Sequence, residues 1–294
     1  MKRVRIIPRL DIKGPNLVKG VHMEGLRVLG RPEVFAPRYY EDGADELIYI
    51  DSVASLYGRN NLEEIVKRTA EKVFIPLTVG GGVKGIEDIR RLLRAGADKV
   101  AINTAAIKNP SLIREASLVF GSQCIVVSIQ AKARGNGRYE CLTDNARERS
   151  GKDVFEWADE AQRQGAGEIL LTSVDRDGTG RGFDIGLIEL VALIVNIPLI
   201  VSGGAGSMDD ALCAARAGAD AVCLASIFHY HVLDSIEDEA GFEEGNIDFL
   251  KKQLPIENRS RRRIKPVSIR GLKDYLKAKD IWTRTQVSCE GAYG

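Results

Sequence analysis

Two polar side chains stand at the ends of apolar runs, where a parallel sheet would bring them to one edge. The stretch IIPRLDIK (6–13) carries Asp11 at its end, and CIVVSIQAK (124–132) carries Gln130. Two neighbouring carboxylates can divide acid and base work, because their environments separate their pKa values. An amide at neutral pH can only form hydrogen bonds. If the two strands hold equivalent places, the sequence pairs one catalytic carboxylate with a group that transfers no proton.

Glycines and small polar residues also follow strands, and they do so twice. Gly82 follows the run IPLTV, and Asn103 and Thr104 follow KVAI; further along, Gly204 follows IPLIVS, and Ser226 follows VCLA. Backbone N–H groups in glycine-rich loops and at helix starts bind phosphate oxygens, because those donors are otherwise unpaired. The pattern predicts a substrate with a phosphate at each end, although glycines that only form tight turns would give the same letters.

Short apolar runs alternate with amphipathic segments along the 294 residues. Strands are predicted over 3–11, 46–51, 75–79, 99–103, 125–130, 168–173, 197–202 and 221–226. Helices are predicted over 61–72, 86–95, 110–119, 152–164, 184–195 and 208–217. Eight strands with interleaved helices favour an α/β fold, a parallel sheet closed as a (β/α)8 barrel. The rival, two doubly wound open sheets, needs a linker near the middle that the sequence does not offer.

Three pairs of similar segments lie 122 residues apart. They are GADELIYIDSVASLYGR with GAGEILLTSVDRDGTGR, RAGADKVAINTA with RAGADAVCLASI, and GGVKGIEDI with GGAGSMDDA. One shared offset predicts two fused half-barrels, about 1–122 and 123–282, in a single barrel domain over 1–282. An insertion is predicted over 234–266 before the last helix, and a tail over 283–294.

Side-chain alternation along the predicted strands places four charged residues inside the barrel floor. They are Arg5, Glu46, Lys99 and Glu168. Barrel interiors are usually filled by apolar side chains, so four buried charges must pair with one another. The ring is either a salt-bridged plug or a gate to a passage along the barrel axis.

Composition excludes several classes of function. The chain has 42 Lys and Arg against 41 Asp and Glu, which gives no reason to expect a nucleic-acid or membrane partner. Its longest apolar runs have the length of strands, and the charged N-terminus passes directly into one. Five cysteines without a CxxC pair predict reduced thiols and a cytoplasmic protein.

The sequence resembles the cyclase subunit of imidazole glycerol phosphate synthase (HisF type) over residues 3 to about 231. The matching blocks are RIIPRLDIK, LVKG, GADELIYID, IPLTVGGGVK, RAGADKVAINTAAIKNPSLI, FGSQCIVVSI, GAGEILLTSVDRDGTGRGFD, SGGAG and ASIFH. SIRGLKDYLKAKDI (268–281) is similar to the closing helix.

This resemblance implies a duplicated (β/α)8 barrel with a HisH-type glutaminase subunit on its N-terminal face. Ammonia would pass through the barrel and convert a bisphosphate ribulosyl carboxamide (PRFAR) to imidazole glycerol phosphate and an aminoimidazole carboxamide ribotide (AICAR). This is a step of histidine biosynthesis, and it implies no metal and no organic cofactor.

Carried over residue by residue, the resemblance makes Asp11 one of two catalytic aspartates, and the second falls on Gln130. Position 9, which is usually small in the family, is Arg9. The implied substrate-binding residues are Lys19, Gly82, Asn103, Thr104, Asp177, Gly178, Gly204, Ala225 and Ser226. The implied ammonia gate is Arg5, Glu46, Lys99 and Glu168.

Because Gln130 transfers no proton, we expect a diverged member of this family that supplies ammonia for amidation of a sugar in surface-polysaccharide synthesis. Two alternatives stay open. One is an active histidine-pathway cyclase in which a neighbour replaces the lost carboxylate. The other is a scaffold that binds the glutaminase and performs no chemistry.

Overall fold

The computed structural model describes residues 3–53, 62–235 and 263–284. In chain order the strands are β1 (Arg5–Lys13), β2 (Asn16–Val21), β3 (Glu24–Gly30), β4 (Leu47–Asp51), β5 (Leu77–Gly80), β6 (Lys99–Ile102), β7 (Ile125–Gly135), β8 (Arg138–Thr143), β9 (Glu148–Asp153), β10 (Glu168–Ser173), β11 (Leu199–Ser202) and β12 (Ala221–Leu224). The helices are α1 (Pro32–Glu41), α2 (Leu62–Ala70), α3 (Ile86–Arg94), α4 (Thr104–Lys108), α5 (Ser111–Phe120), α6 (Val154–Arg163), α7 (Ile185–Ile194), α8 (Met208–Arg216), α9 (Ser226–Ser235) and α10 (Ile269–Lys277).

Eight parallel strands form a closed barrel, in the order β1–β4–β5–β6–β7–β10–β11–β12, with β12 pairing back to β1. Helices follow the strands and cover the outside of the sheet. The predicted (β/α)8 fold is therefore confirmed, and all eight predicted strands lie in the barrel. No helix in the described part of the chain is long and apolar enough to cross a membrane.

Two antiparallel hairpins extend β1 and β7 beyond the barrel, and the sequence analysis did not predict them. β2 pairs with the end of β1 and with β3, while β8 pairs with the end of β7 and with β9. These strands are half exposed and rich in polar residues, so they lack the buried apolar run that marks the barrel strands. Helix α1, which begins with Pro32 in its first turn, was also absent from the predicted helices.

Side-chain caps set the starts of several helices. The Asp153 carboxylate accepts from the N–H groups of Phe155 and Glu156 at the start of α6. Ser207 and Asp210 form a reciprocal capping box at α8. Such caps satisfy backbone donors that have no partner within the helix.

The apolar core has two layers, one on each side of the barrel wall. The larger lies between the sheet and the helices and includes the fully buried Trp157 and Phe35. The smaller fills the lumen and consists of Ile7, Ile48, Ile50, Ala101, Val126, Leu170, Ile200, Ala221 and Cys223. Barrels are packed in this way by the inward-facing side chains of alternate strands.

The C-terminal part of the barrel domain contacts its N-terminal part near the start of β1. Nζ of Lys273 on α10 lies 2.6 Å from Oδ1 of Asp45, and the other carboxylate oxygen accepts from the N–H of Ile6. The N–H of Val4 donates to the carbonyl of Trp282 at 2.8 Å. Of the predicted tail over 283–294, only 283 and 284 belong to the described residues. Most of the predicted insertion lies outside them, although its first two residues, 234 and 235, end α9.

His229 on α9 is a buried histidine that ties three elements together. Its Nδ1 lies 2.5 Å from the Tyr39 hydroxyl on α1, and its ring meets that of Phe35 edge-on. It also bonds to the backbone of Arg9 on β1. Burial lowers the pKa of His229 to about 3, with a further contribution from the nearby Lys19 cation.

We predict that this histidine makes the protein sensitive to mild acid. Between the ordinary histidine pKa of 6.5 and the native value of about 3, the unfolded chain binds a proton that the native protein does not. The free energy of unfolding is therefore unaffected by this histidine above about pH 6.5. As the pH falls from 7.5 to 5, it decreases by about 2 kcal/mol. Urea unfolding at both pH values, compared with His229→Gln, measures this difference. Equal pH slopes in the two proteins would contradict it.

Candidate active site at the barrel mouth

Four charged side chains form a closed ring at the floor of the lumen. Nη1 of Arg5 lies 2.6 Å from Glu46 and 3.0 Å from Glu168, and Nζ of Lys99 lies 3.0 Å from Glu46 and 2.9 Å from Glu168. Each cation therefore contacts both carboxylates. Oε2 of Glu168 is buried and has no hydrogen-bond partner among the described residues. The structure brings together the four residues that side-chain alternation predicted; their role as a gate stays a prediction.

Arg9 lies above the apolar layer of the lumen and extends across it. It starts from β1, yet its Nη1 donates to Oγ1 of Thr172 on β10 at 3.1 Å and to Oγ of Ser202 on β11 at 3.4 Å. Its Nε and Nη2 both lie 3.0 Å from Oδ1 of Asp11. Arg9 is only 4% exposed, so it is part of the barrel interior. Thr172 is the strand partner of Gln130 on β7. The end of the Arg9 side chain therefore lies close to β7, across the lumen from Asp11.

The surroundings of Asp11 and Arg9 shift the pKa values of both groups. Burial raises the pKa of the Asp11 carboxyl above its ordinary value, and the Arg9 guanidinium offsets part of that rise. Burial alone would lower the pKa of Arg9, but the charges of Asp11 and Asp177 outweigh it and raise that pKa. Arg9 cannot lose its proton near neutral pH, so it can hold or polarise a group but cannot act as a base.

Gln130 uses its side-chain carbonyl to hold the β8–β9 turn. Its Oε1 accepts from the N–H of Ala146 at 2.8 Å, and the residue is 6% exposed. Two catalytic carboxylates would need to face a common substrate with separate pKa values. Here one position carries a carboxylate bonded to a guanidinium, and the other carries an amide bonded to a backbone N–H.

A cleft of about 390 Å³ opens beside Gln130, where the first predicted phosphate site lies. It is lined by Gly81, Gly82, Lys84, Asn103, Thr104, Ser128, Gln130, Asp144 and Asn145, among others. Gly82 has a left-handed φ of 69°, a conformation that favours glycine in the turn after β5. The structure thus brings Gly82, Asn103 and Thr104 into one cleft, together with residues of the β8–β9 turn that the sequence analysis had not connected with them.

The second predicted phosphate site has a different environment. Gly204, with a φ of 113°, packs so tightly that a Cβ there would lie 2.2 Å from the carbonyl oxygen of Gly182. The ten-residue helix α9 begins at the buried Ser226, and its first turn carries no acidic residue. The carbonyl of Ala225 accepts from the N–H of Phe228 as that helix starts.

Asp177, Gly178 and Lys19 meet above this second site. Cβ of any residue at 178 would lie 2.4 Å from the carbonyl oxygen of Gly20, so the loop after β10 touches the end of β2. Burial lowers the pKa of Lys19, and the Asp177 charge opposes that shift. Nζ of Lys19 also lies 5.8 Å from the centre of the Tyr230 ring on α9.

The two hairpins meet over the mouth, where Nδ2 of Asn145 donates to the carbonyl of Met23 at 3.2 Å. The first hairpin also contacts the loop after β10, because the N–H of His22 donates to the carbonyl of Asp177 at 2.9 Å. Met23, Leu142 and Val174 form a small apolar cluster between them. These contacts were not predicted, because the segments after β1 and β7 carry no buried apolar run. The turn letters GVHMEG and TDNAR, each between alternating residues, were the available signal.

These features define a class: a closed (β/α)8 barrel with glycine-rich loops at the carboxyl ends of its strands and a charged ring at its floor. The profile of a family described as histidine biosynthesis protein matches residues 5–234. The imidazole glycerol phosphate synthase subunit HisF of Legionella pneumophila is 62% identical over 210 residues, which is 71% of this chain and 99% of that protein. The subunits HisF of Beutenbergia cavernae (47% identity over 83% of this chain and 98% of that protein) and Thermobifida fusca (51% over 77% and 91%) are also similar.

The chain belongs to the HisF family, the cyclase subunits of imidazole glycerol phosphate synthase, which are lyase-type enzymes of histidine biosynthesis.

We predict that Arg9→Met raises the pKa of Asp11 further. The guanidinium now offsets part of the effect of burial, and methionine keeps the side-chain length without the charge. Removing one partner of a buried ion pair should also lower the free energy of unfolding, on the order of 3 kcal/mol. Carboxyl ¹³C NMR titration, with Asp11→Asn for assignment, measures the pKa. Arg138→Met, an exposed change on β8, is the control, and an unchanged or lower Asp11 pKa in Arg9→Met would refute the prediction.

Proposed function

We propose that this chain is the ammonia-receiving barrel of a glutamine amidotransferase and that it has lost most of the cyclisation activity of its family. A HisH-type glutaminase would supply the ammonia, and the ammonia would serve the amidation of a sugar in surface-polysaccharide synthesis. We infer a cytoplasmic location, where reduced thiols such as the four described free cysteines are stable.

One observation carries the proposal: the mouth contains a cation and an amide where acid and base chemistry would need a second carboxylate. Arg9 is bonded to Asp11, Thr172 and Ser202, and Gln130 is bonded to the backbone of Ala146. Losing a positioned acid or base typically slows a reaction ~10²–10⁴-fold. Arg9 adds to this, because a carboxylate bonded to a fixed guanidinium is a weaker proton acceptor.

The charged ring supports continued passage of ammonia. Apolar side chains of similar volume are often as stable as a buried ionic cluster, so stability alone gives little reason to keep four charges in the floor. The unpartnered Oε2 of Glu168 offers a hydrogen-bond acceptor to a small polar molecule in the lumen. A retained ring at the floor, below a changed mouth, is what we expect of a barrel that still receives ammonia but transfers it to another acceptor.

Exposed apolar residues around the N-terminal face support a glutaminase partner there. Phe74 precedes β5 and is 76% exposed, Leu118 in the last turn of α5 is 79% exposed, and Leu193 in the last turn of α7 is 84% exposed. These positions surround the barrel end that carries the charged ring. Large apolar side chains exposed around one face are typical of a protein interface.

We expect purified protein to convert the bisphosphate substrate PRFAR, with ammonium as nitrogen source, at least ~10²-fold more slowly than an intact family member. Gln130→Asp should recover part of the rate, and adding Arg9→Cys should recover more, because the second change releases Asp11. Steady-state formation of imidazole glycerol phosphate measures both. Gln123→Asp, an exposed Gln-to-Asp change, serves as control. A wild-type rate equal to that of an intact cyclase would refute the proposed loss of cyclisation.

A second prediction tests the passage. In a complex with the glutaminase recovered from the native host, Lys99→Ala should lower glutamine-dependent conversion of PRFAR at least ~10-fold more than ammonium-dependent conversion, since ammonium enters from the mouth. Lys273→Ala breaks a buried ion pair outside the lumen and is the matched control for a folding defect. If Lys99→Ala lowers both rates equally, the ring acts only as a structural plug and the proposed passage is contradicted.

The partner itself is tested by co-purification from the native host. Leu193→Asp and Phe74→Asp should abolish recovery of a glutaminase, because each would bury a carboxylate in an apolar interface. Arg138→Asp, at the mouth end of the barrel, should leave recovery unchanged. If the wild-type protein recovers no glutaminase, the amidotransferase proposal fails.

A further inference from the structure

The two ends of the Gln130 side-chain amide have different surroundings. Its Oε1 accepts from the N–H of Ala146 at 2.8 Å. A backbone N–H can only donate, so this bond fixes which end of the amide is the oxygen and which is the nitrogen. Nε2 donates to no group in the described part of the chain, and it is not among the buried polar atoms that lack a partner there. Its two N–H groups therefore reach the surface of the cleft that Gln130 lines.

The β8–β9 turn holds the amide in this orientation. Asp144, Asn145 and Ala146 have left-handed φ values of 50°, 58° and 62°, and none is a glycine. L-residues seldom adopt this conformation, and three in succession persist only where surrounding contacts hold them. Thr104 accepts from the N–H of Asp144 at 3.1 Å, and Asn145 donates to a carbonyl of the β2–β3 turn at 3.2 Å. Because the turn is held from both sides, Gln130 cannot direct its oxygen into the cleft without leaving the N–H of Ala146 unpaired.

The cleft joins the lumen beside this amide. Ala101 and Ser128 also line the cleft. Ala101 belongs to the apolar layer of the lumen, and Ser128 is the strand partner of Leu170, which belongs to the same layer. Arg9 extends to the other side of the lumen, toward β10 and β11. A small molecule that leaves the lumen through the cleft therefore meets the N–H groups of Gln130.

The glycine loop of the cleft supplies a second, separate set of donors. Within the described residues, the N–H groups of Gly81 and Gly82 after β5 have no acceptor. They are available to the phosphate expected at this loop. Gln130 stands on β7, with β6 between it and the glycines. A ligand whose phosphate is held by the glycine loop can therefore direct another oxygen to Nε2 of Gln130.

We propose that Gln130 is a specificity-determining residue whose Nε2 donates to a carbonyl oxygen of the ligand. A carboxylate in this position would accept hydrogen bonds and select a ligand hydroxyl, whereas the amide nitrogen donates and selects an acceptor. The inference rests on the proposed function in one respect, that the ligand is the acceptor of the ammonia. The carbonyl then lies where the lumen opens, and hydrogen bonds to its oxygen make its carbon more electrophilic toward ammonia.

Two sugar phosphates that differ at one carbon test this inference. Ribulose 5-phosphate has a ketone where ribitol 5-phosphate has a hydroxyl group, and both carry the same phosphate. In calorimetric titrations the wild type should bind the ketone about fivefold more tightly, which is the usual contribution of one hydrogen bond.

Gln130→Glu keeps an oxygen for the N–H of Ala146 but replaces the two N–H donors by a second oxygen. At a pH of about 8, where the new carboxyl group is ionised, the preference should therefore reverse in favour of ribitol 5-phosphate. The ratio of the two affinities cancels the effect of the added charge on the phosphate, which the two ligands share. Gln130→Met removes both the donor and the acceptor and should abolish the preference without reversing it.

Gln123→Glu, an exposed change just before β7, is the matched control and should keep the wild-type preference. Equal affinities in the wild type, a wild-type preference for ribitol 5-phosphate, or no binding of either ligand would overturn the inference. So would the same preference in the wild type and Gln130→Glu. The proposed function fails on other measurements, a full cyclisation rate or the lack of a glutaminase, and neither depends on these affinities.

The amide itself gives a direct signal. In ¹⁵N-labelled protein, the side-chain NH₂ resonances of Gln130 are those that disappear in Gln130→Glu. They should shift when ribulose 5-phosphate is added, because the carbonyl oxygen accepts from these N–H groups. A structural role confined to the β8–β9 turn would leave them unmoved, and unchanged resonances with ligand in excess would contradict the inference.

Discussion

The Arg9 guanidinium is the interaction on which the rest of the mouth depends. It starts on β1, pairs with Asp11 on the same strand and reaches Thr172 and Ser202 on the far side of the lumen. A fixed cation in this place requires an anion beside it, because an unpaired buried charge is strongly destabilising. Asp11 is therefore part of an ion pair within the barrel wall as well as a group that faces the mouth.

The position opposite Asp11 carries an amide, which is compatible with that ion pair. With Gln130 as an amide, no second carboxylate approaches the Arg9–Asp11 pair, and the amide oxygen instead fixes the β8–β9 turn. That turn carries Asp144 to the hydroxyl of Thr104. Arg9 and Gln130, which read as separate departures in the sequence, thus lie close together, because Thr172, which accepts from Arg9, pairs with Gln130 in the barrel wall. Beneath them, the ring at the floor pairs each cation with both carboxylates.

The barrel fold and the charged ring could be predicted from the sequence, because both follow from the pattern of buried strands. Barrel strands are buried and alternate strictly, so the inward positions of Arg5, Glu46, Lys99 and Glu168 follow from the register of four strands, and the duplication follows from one offset of 122 residues. The hairpins did not follow, because their strands are half exposed and carry no apolar run. The contacts of Gln130 and Thr104 with the β8–β9 turn depend on three left-handed residues that are not glycine, which no local pattern predicts. The pairing of Arg9 with Asp11 was foreseeable from their shared face, whereas its reach to β10 and β11 required the closed barrel.

We propose above all that this mouth does not support the cyclisation expected of two carboxylates. Complementation of a histidine auxotroph that lacks its cyclase subunit but keeps its own glutaminase tests it most directly, with the level of expressed protein verified. The account predicts no growth without histidine when the wild-type chain is supplied, under conditions where an intact HisF restores growth. Growth equal to that given by the intact subunit would contradict the account.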